Sequence, residues 1–254
     1  MGKIIAVINQ KGGVGKTTTA VNLAAALGYK KKKTLLIDCD PQCNSTSGVG
    51  IEKNDYETSV YECLSNKEDI HKAIIETKFK NLFLLPSSRN LSGAEIELAY
   101  EENREYRLKD AIELIKDEYD FIIIDSPPAL GMLTINIMSC ANSVLIPIQC
   151  EYYALEGVSQ LMQSLKAIKK GLNKKLEIEG VLPTMYDGRT NLSIQVLDEV
   201  KKYFGEKVYS SVIPRNVRLS ESPSFGEPII YYDITSKGSE AYISLAREVI
   251  KNNE

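Results

Sequence analysis

Short, uninterrupted runs of apolar residues recur along the chain and form its clearest pattern. Runs of this length that are rich in Ile, Val and Leu predict strands buried on both faces of a sheet. The predicted strands are residues 4–8, 34–38, 81–86, 119–125, 143–148, 178–185 and 208–213.

Between these runs, apolar residues recur at helical spacing. The predicted helices are residues 20–27, a charged region from about 92 to 116, and residues 155–170, 192–204 and 239–251. Residues 45–80 are mixed, with short amphipathic pieces at 60–64 and 70–75, and we expect His71 on the surface. Because strands and helices alternate, we predict an α/β fold with one doubly wound, mostly parallel sheet in a single domain, residues 1–254.

The composition is typical of a globular protein. Of the 254 residues, 43% are hydrophobic, which suffices for a substantial core, and no apolar run is long enough to span a bilayer. The chain begins directly with a predicted strand, so we expect no signal peptide, and Ala6 stands where a myristoylation motif has Ser or Thr. We therefore expect a cytoplasmic protein.

Charge and cysteine content exclude some further classes. A formal net charge of −3 argues against a polycation but permits a local basic patch. Five scattered cysteines and one histidine favour neither a zinc site nor a disulfide framework. Residues 30–33 are four consecutive lysines. We interpret them as the solvated end of the first helix, and the alternative is that they contact nucleic acid.

A glycine cluster separates the first predicted strand from the first helix. Gly12, Gly13 and Gly15 allow the backbone to curl and let phosphate oxygens approach its amides closely. Lys16 can then reach the outer phosphates, and the Thr17 hydroxyl can ligate a magnesium ion. The strand, loop and helix together indicate a nucleoside triphosphate site.

Aspartates end two of the other predicted strands. Asp38 ends the second strand with Asp40 two residues later, and Asp125 ends the strand 119–125. In a parallel sheet these ends lie beside the phosphate loop, so we predict that Asp125 holds a magnesium-bound water. The alternative role for Asp125 is a helix cap.

The loop departs from the general pattern, which has glycine where this chain has Gln10, and it has a second lysine, Lys11. This resembles the deviant Walker A motif, Lys-Gly-Gly-x-Gly-Lys-Thr, of the ParA/MinD class of P-loop ATPases. Over nearly the whole chain, further blocks are similar to the Soj branch of the ParA chromosome-partitioning ATPases, namely residues 9–19, 38–42, 122–128, 147–157 and 213–221.

The resemblance implies an ATP-dependent cycle with Mg²⁺. Two subunits would form a homodimer around two ATP molecules, and this dimer would bind DNA non-specifically on the nucleoid. A ParB-type centromere-binding partner would then stimulate hydrolysis, which is slow without it. No membrane would be involved.

The resemblance also implies the site residues. The implied phosphate contacts are Lys11, Gly12, Gly13, Val14, Gly15, Lys16, Thr17 and Thr18, with Thr17 and Asp125 for the metal. The implied adenine and ribose contacts are Met185, Pro214 and Asn216. The catalytic residues would be Lys16, Lys11 acting on the partner subunit's nucleotide, and Asp40 orienting the attacking water. A turn or cap before Pro41 is the alternative role for Asp40.

For DNA, the candidates are Arg189 and Arg218, whose guanidinium groups could contact phosphates without reading bases. Intrachain ion pairs are their alternative role. Lys201, Lys202 and Lys237 are weaker candidates for the same patch.

Two positions depart from the family pattern. Cys43 stands where the family often has glycine, so a positive φ there would strain the first switch loop. Glu227 stands where relatives often have a basic residue, which could weaken DNA binding nearby.

Three other functions stay open at this point. The first is a membrane-cycling ATPase like MinD, although residues 247–254 mix charge signs and lack Phe and Trp. The second is another enzyme of this fold, such as an ATP-driven reductase, a small-molecule ligase or a metal-cluster carrier, although Cys140 and Cys150 have no suitable neighbours. The third is a nucleotide-gated binding module that does not hydrolyse ATP.

Overall fold

The computed structural model describes residues 2–52, 55–65, 68–152 and 156–254. Within these ranges one seven-stranded sheet is formed, with the strand order β3-β4-β2-β5-β1-β6-β7. The strands are β1 (Lys3–Val7), β2 (Thr34–Asp38), β3 (Ile75–Glu76), β4 (Leu82–Leu85), β5 (Phe121–Asp125), β6 (Ser143–Gln149) and β7 (Glu177–Thr184). All neighbouring strands are parallel except β3 and β4. The predicted mostly parallel, doubly wound α/β sheet is confirmed.

Helices cover both faces of this sheet. They are α1 (Lys16–Tyr29), α2 (Asn44–Gly48), α3 (Val60–Leu64), α4 (Ile70–Ala73), α5 (Leu91–Leu98), α6 (Arg107–Glu113), α7 (Met132–Cys140), α8 (Glu156–Gly171), α9 (Asn191–Phe204), α10 (Val217–Glu221), α11 (Ile229–Tyr232) and α12 (Lys237–Asn253). In the described part of the chain, no helix combines the length and the apolar character that a membrane span requires.

Alternate side chains of β1 enter two separate core layers, as expected for a strand. Ile4 and Ala6 pack with residues of α3, α6, α7 and α8. Ile5 and Val7 pack with residues of α1 and α12. Because both faces are covered, the central strands are buried along their whole length, which explains their continuous apolar sequences.

The register of the central strands brings polar groups together at one edge. Asp38, the last residue of β2, pairs with Asp125, the last residue of β5. Asp125 also pairs with Val7, the last residue of β1, directly before the glycine loop. The carboxyl ends of three strands and the start of α1 therefore meet in one place.

Several predicted elements differ from the structure. The charged region 92–116 is not one helix, because the chain turns between α5 and α6, where Asn103 has a φ of 55°. The amphipathic piece 70–75 ends as a helix at Ala73, and Ile75 begins the edge strand β3. Residues 132–140 form α7, which the sequence analysis did not predict.

The predicted strand 208–213 is also wrong, because it makes only isolated bridges to β7 and the following residues. Glu248 accepts hydrogen bonds from the amides of Ser210 and Ser211 at 2.9 and 2.7 Å, so these donors are not available to a neighbouring strand. The predicted helix 155–170 is observed as α8 from Glu156 onward. Residues 153–155, which include the predicted start of that helix and part of the family-like run 147–157, lie outside the described residues.

Candidate functional site

The glycine loop connects β1 to α1. Gly13 and Gly15 have φ values of 75° and 89°, which other residues rarely adopt. A Cβ atom on Gly12 or Gly13 would meet no atom within 4 Å, so both residues face open space. Asn9 anchors the loop, because its Nδ2 donates to a β6 carbonyl at 2.7 Å and its Oδ1 accepts from the Lys11 amide at 3.0 Å. This geometry is typical of loops that receive an anion.

Lys16 begins α1 and is only 7% exposed. Burial lowers the pKa of its ammonium group, and the nearby carboxylates of Asp125 and Asp40 oppose that shift. Its Nζ donates to the main-chain oxygen of Lys11 at 3.2 Å. An ammonium group has three donors, so Lys16 keeps hydrogen-bonding capacity for an anion in the loop.

Two buried aspartates end the neighbouring strands β2 and β5. Asp38 Oδ2 accepts from the amide and from the hydroxyl of Thr46, both at 2.8 Å. Asp125 Oδ2 accepts from Ser45 Oγ at 2.7 Å. Burial raises the pKa of Asp38 to about 6, and burial together with the charge of Asp38 raises the pKa of Asp125 to about 7. Two carboxylates at this depth favour a cation between them and the loop.

The donor set fits a hydrated magnesium ion. Oδ1 of Asp125 is buried and has no hydrogen bond of normal geometry to the described residues. The hydroxyl of Thr17 is nevertheless near enough to that carboxylate to offset part of the rise in the pKa of Asp125. Hydroxyl and carboxylate oxygens are the ligands that Mg²⁺ prefers, directly or through water.

The raised pKa values predict that the nucleotide-free protein loses stability as the pH rises. The pKa values of Asp38 and Asp125 in the folded chain exceed the ordinary value of 3.8, so between about pH 4 and 7 the folded chain binds more protons than the unfolded chain. The free energy of unfolding therefore falls as the pH rises towards about 7. Asp38→Asn removes one titration and should reduce the fall between about pH 5 and 8 by about 1 kcal/mol.

Urea unfolding without Mg²⁺ measures this difference. Asp198→Asn, which changes an exposed aspartate on α9, is the matched control and should retain the wild-type pH dependence. An Asp38→Asn protein with the wild-type pH dependence would show that Asp38 does not titrate in this range.

Asp40 makes local contacts and also faces the site. It is 8% exposed, and its Oδ1 accepts from the Gln42 amide at 2.9 Å, which is the predicted turn role. Its main-chain oxygen accepts from Ser87 Oγ at 2.6 Å. The carboxylate is also near enough to Lys16 to oppose the lowering of that lysine's pKa by burial. The structure therefore places Asp40 beside Lys16 at the glycine loop.

A cavity of about 600 Å³ adjoins the glycine loop. Its walls include Gly15 and Thr18 on one side and Met185, Pro214 and Asn216 on the other. The three residues that the family resemblance assigns to adenine and ribose thus line one cavity beside the loop. Its volume lies within the range of small-molecule sites.

Distant parts of the chain build this cavity. Met185 follows β7 with a φ of 51°, a conformation that costs a residue with a side chain about 1 kcal/mol or more. Thr184 Oγ1 donates to the Val14 carbonyl at 2.8 Å and fixes the end of β7 against the glycine loop. Tyr242 of α12 also lines the cavity, and its hydroxyl lies 3.3 Å from Thr19 Oγ1.

Comparison with known proteins accounts for this combination of a glycine loop, strand-end aspartates and an adjoining cavity. Residues 2–178 match the AAA domain family. The chain is 59% identical over 252 residues to the sporulation initiation inhibitor protein Soj of Bacillus subtilis, covering 99% of this chain and 100% of Soj. The chain belongs to the Soj/ParA family of chromosome-partitioning ATPases. The chromosome partitioning protein ParA of Myxococcus xanthus is 52% identical, over 100% of this chain and 89% of that protein.

Solved structures support the same placement of this Soj/ParA chain. The crystal structure of a cobyrinic acid a,c-diamide synthase from Mycobacterium smegmatis with bound ADP and magnesium superposes with a TM-score of 0.87. It is 35% identical and covers 99% of this chain and 95% of that chain. A relative with this fold therefore binds a nucleotide with magnesium.

The two arginines predicted for DNA contact in this Soj/ParA protein are exposed and ion-paired. Arg189 makes a two-pronged pair with Asp187, at 2.9 and 2.7 Å, and this lowers the pKa of Asp187 to about 2. Arg218 contacts Glu221 at 3.0 Å and Asp233 at 3.5 Å. The alternative of intrachain ion pairs is thus observed. Such exposed pairs typically contribute little free energy.

Cys43 and Glu227 show what the two departures from the family pattern do. Cys43 has a φ of 58° and is buried, so the position does adopt the conformation that favours glycine. The predicted strain in the first switch loop follows, at about 1 kcal/mol. Glu227 pairs with Lys78 at 3.2 Å, so the two charges offset each other.

The sequence analysis did not assign three hydroxyl residues around the aspartates. Ser45 and Thr46 lie in the first turn of α2, and their hydroxyls donate to Asp125 and Asp38 respectively. The Ser87 amide donates to Thr46 Oγ1 at 3.1 Å. The only signal was the run of small polar residues 44–47 after Asp40. Which carboxylate each hydroxyl meets depends on the neighbouring strands, so spacing along the chain does not reveal it.

Proposed function

We propose that this Soj/ParA chain is an ATPase that binds ATP with Mg²⁺, dimerises around two ATP molecules and binds DNA non-specifically in that state. The observation that supports this most directly is the buried Lys16, which has the carboxylates of Asp125 and Asp40 as neighbours and directly follows Gly15 in the wall of the 600 Å³ cavity. A site of this charge and depth is suited to a triphosphate with its metal.

The roles of the residues follow from their positions. Residues 11–18 would surround the phosphates, with Lys16 neutralising the outer ones, while Met185, Pro214 and Asn216 would contact the nucleoside. Thr17 and Asp125 would hold Mg²⁺, which supplies charge neutralisation on the triphosphate when it is bound. Asp40 would orient the attacking water. A carboxylate is a weak base at neutral pH, which agrees with slow turnover in the absence of a partner.

Lys11 is the proposed link between subunits. It lies at the mouth of the glycine loop, and its side chain is partly exposed, whereas Lys16 is buried. A cation on the open side of the loop can contact the nucleotide of a second subunit, as an arginine finger does. ATP would then favour the dimer and hydrolysis would disfavour it, and a ParB-type centromere-binding protein would accelerate that step at the nucleoid.

Two alternatives lose support in the structure. Membrane cycling through the terminal helix needs free apolar side chains, but Tyr242, Leu245 and Val249 of α12 are buried in the core with residues of α1. Carriage of a metal cluster needs exposed thiolates, but the five cysteines are buried. Burial raises the pKa of the Cys63 and Cys140 thiols to about 12 and that of Cys150 to about 11.

Size-exclusion chromatography tests the proposed cycle. The protein should elute as a dimer with ATP when hydrolysis is blocked, and as a monomer with ADP or without nucleotide. Only the dimer should be retained by duplex DNA. A protein that stays monomeric when saturated with unhydrolysed ATP, or that binds DNA equally well without ATP, contradicts the proposal.

Arg189→Ala and Arg218→Ala are each expected to weaken DNA binding about tenfold while leaving ATP-dependent dimerisation intact. Each variant removes a phosphate contact, so the slope of log affinity against log salt concentration should fall by about 1. Fluorescence anisotropy of a labelled duplex across a salt series measures both quantities.

Arg247→Ala is the matched control for these variants, because it removes an exposed arginine from α12. Its DNA affinity should stay within about twofold of wild type. A wild-type affinity that does not change with salt would exclude phosphate contacts as the basis of binding.

A further inference from the structure

A second cavity, of about 310 Å³, lies at the opposite end of β7 from the nucleotide site. It opens between the carboxyl-terminal half of α8 and the first residues of β7. Its floor is aliphatic and consists of Met162, Leu165, Leu176 and Ile178. This volume is sufficient for one large aliphatic side chain with its neighbouring backbone.

The rim of this cavity is basic. Lys166 and Lys169 of α8 and Lys207, which follows α9, line it together with one acidic residue, Glu177. None of the three lysines forms an ion pair with any carboxylate in the part of the chain that the structure describes. Residues 158–176 contain five lysines and no Asp or Glu, so this stretch of α8 and the loop after it is basic.

The cavity also borders a sheet edge. β7 is the last strand of the sheet, and in the described part of the chain backbone pairing on its outer side begins at Val181. There the Tyr209 amide donates to the Val181 carbonyl and the Ile213 amide to the Pro183 carbonyl, both at 2.9 Å. Among the described residues no strand pairs with the outer side of β7 before Val181. An edge of this kind can accept an extended peptide.

We propose that this groove, defined by Met162, Leu165, Lys166, Lys169, Leu176, Ile178 and Lys207, binds a short acidic peptide segment of a partner protein. One aliphatic side chain of that segment fills the cavity, and carboxylates on either side of it contact the three lysines. The charge of the rim favours an acidic segment over a basic one by direct complementarity.

The shape of the groove favours an acidic peptide over DNA and over an anionic membrane surface. A DNA backbone has no aliphatic group to fill the floor, and its contacts need only an exposed row of cations. A membrane surface is bound by apolar side chains that protrude, whereas these four are recessed. The site is separate from the glycine loop, so the proposed binding does not depend on nucleotide.

Fluorescence polarisation with the nucleotide-free, full-length protein tests this. The probe is the fluorescein-labelled peptide Glu-Asp-Glu-Leu-Glu-Asp-Glu. Two comparison peptides replace the leucine by glycine or all the acidic residues by glutamine, and each should bind at least about tenfold more weakly. Lys166→Glu with Lys169→Glu should weaken binding of the first peptide by about tenfold or more.

The chain offers a closely matched control. Lys174→Glu with Lys175→Glu makes the same change of charge on the adjoining exposed loop, outside the cavity, and should change the affinity less than about twofold. Met162→Trp fills the cavity without changing the charge and should also weaken binding about tenfold. Lys166→Gln with Lys169→Gln, a milder surface change, serves if either of the stronger variants fails to fold.

The contrary results are equally clear. No binding of the acidic peptide up to about 1 mM, or equal binding of the glycine peptide, overturns the proposal. If the charge reversals at 166 and 169 and those at 174 and 175 weaken peptide binding equally, the effect is one of overall charge, and this also overturns the proposal. If Lys166→Glu with Lys169→Glu lowers retention of duplex DNA or of phosphatidylglycerol vesicles and leaves peptide binding unchanged, the groove binds that polyanion and the proposal is wrong.

Discussion

Lys16→Ala is expected to lower the affinity for ATP by about a hundredfold or more. The lysine is buried and has Asp125 and Asp40 as neighbours, so its removal leaves negative charge where the triphosphate must bind. Loss of one partner in a buried charge contact costs about 2–5 kcal/mol, and each 1.4 kcal/mol is about tenfold in affinity. Titration with a fluorescent ATP analogue in the presence of Mg²⁺ measures it.

Lys11→Ala is the informative companion, because both lysines belong to the same loop. The Lys11 side chain is partly exposed, and its main-chain oxygen, which accepts from Lys16, is kept in the variant. We expect Lys11→Ala to bind ATP as a monomer and to fail to dimerise. If Lys16→Ala retains wild-type affinity while circular dichroism shows it folded, the glycine loop is not the phosphate site.

Asp40→Ala is expected to lower phosphate release by about a hundredfold or more while ATP binding persists. ATP would then remain bound, so the ATP-bound dimer should accumulate and stay on DNA. Single-turnover phosphate release measures the rate of hydrolysis, and retention on immobilised duplex DNA measures how long the dimer stays bound.

Asp40→Asn separates the catalytic role from the local one. Asparagine can still accept the hydrogen bond from the Gln42 amide that Asp40 Oδ1 accepts at 2.9 Å, but it has no negative charge. If the carboxylate orients water, Asp40→Asn should be as slow as Asp40→Ala. If Asp40→Asn hydrolyses ATP at the wild-type rate, the residue serves only the turn.

The parallel strands β1, β2, β4, β5, β6 and β7 could be predicted because parallel strands covered on both faces need continuous apolar runs. α7 was missed for a related reason: its sequence, Met132–Cys140, is apolar on most sides and has no amphipathic stripe. The split between α5 and α6 follows from a turn at Asn103 within a charged region, where helical propensity is high throughout.

The predicted site depended on two kinds of information. The glycine loop and Asp125 follow from local chemistry, and their proximity follows from the rule that strand ends meet at one edge. Met185, Pro214 and Asn216 have no local signature, and only the resemblance to the family suggested them. Ser45, Thr46 and Ser87 could not be found either way, because their hydrogen bonds join elements that are distant in sequence.

The position of Tyr242 in the cavity wall has a consequence for protease sensitivity. Because α12 contributes that wall and packs on α1, a chain whose last helix has opened loses part of the cavity. A ligand that fills the cavity would bind only the closed form, so it would suppress this opening by mass action. Digestion of the carboxyl-terminal segment should therefore slow progressively with added nucleotide, and removal of that segment should yield a fragment that nucleotide no longer protects.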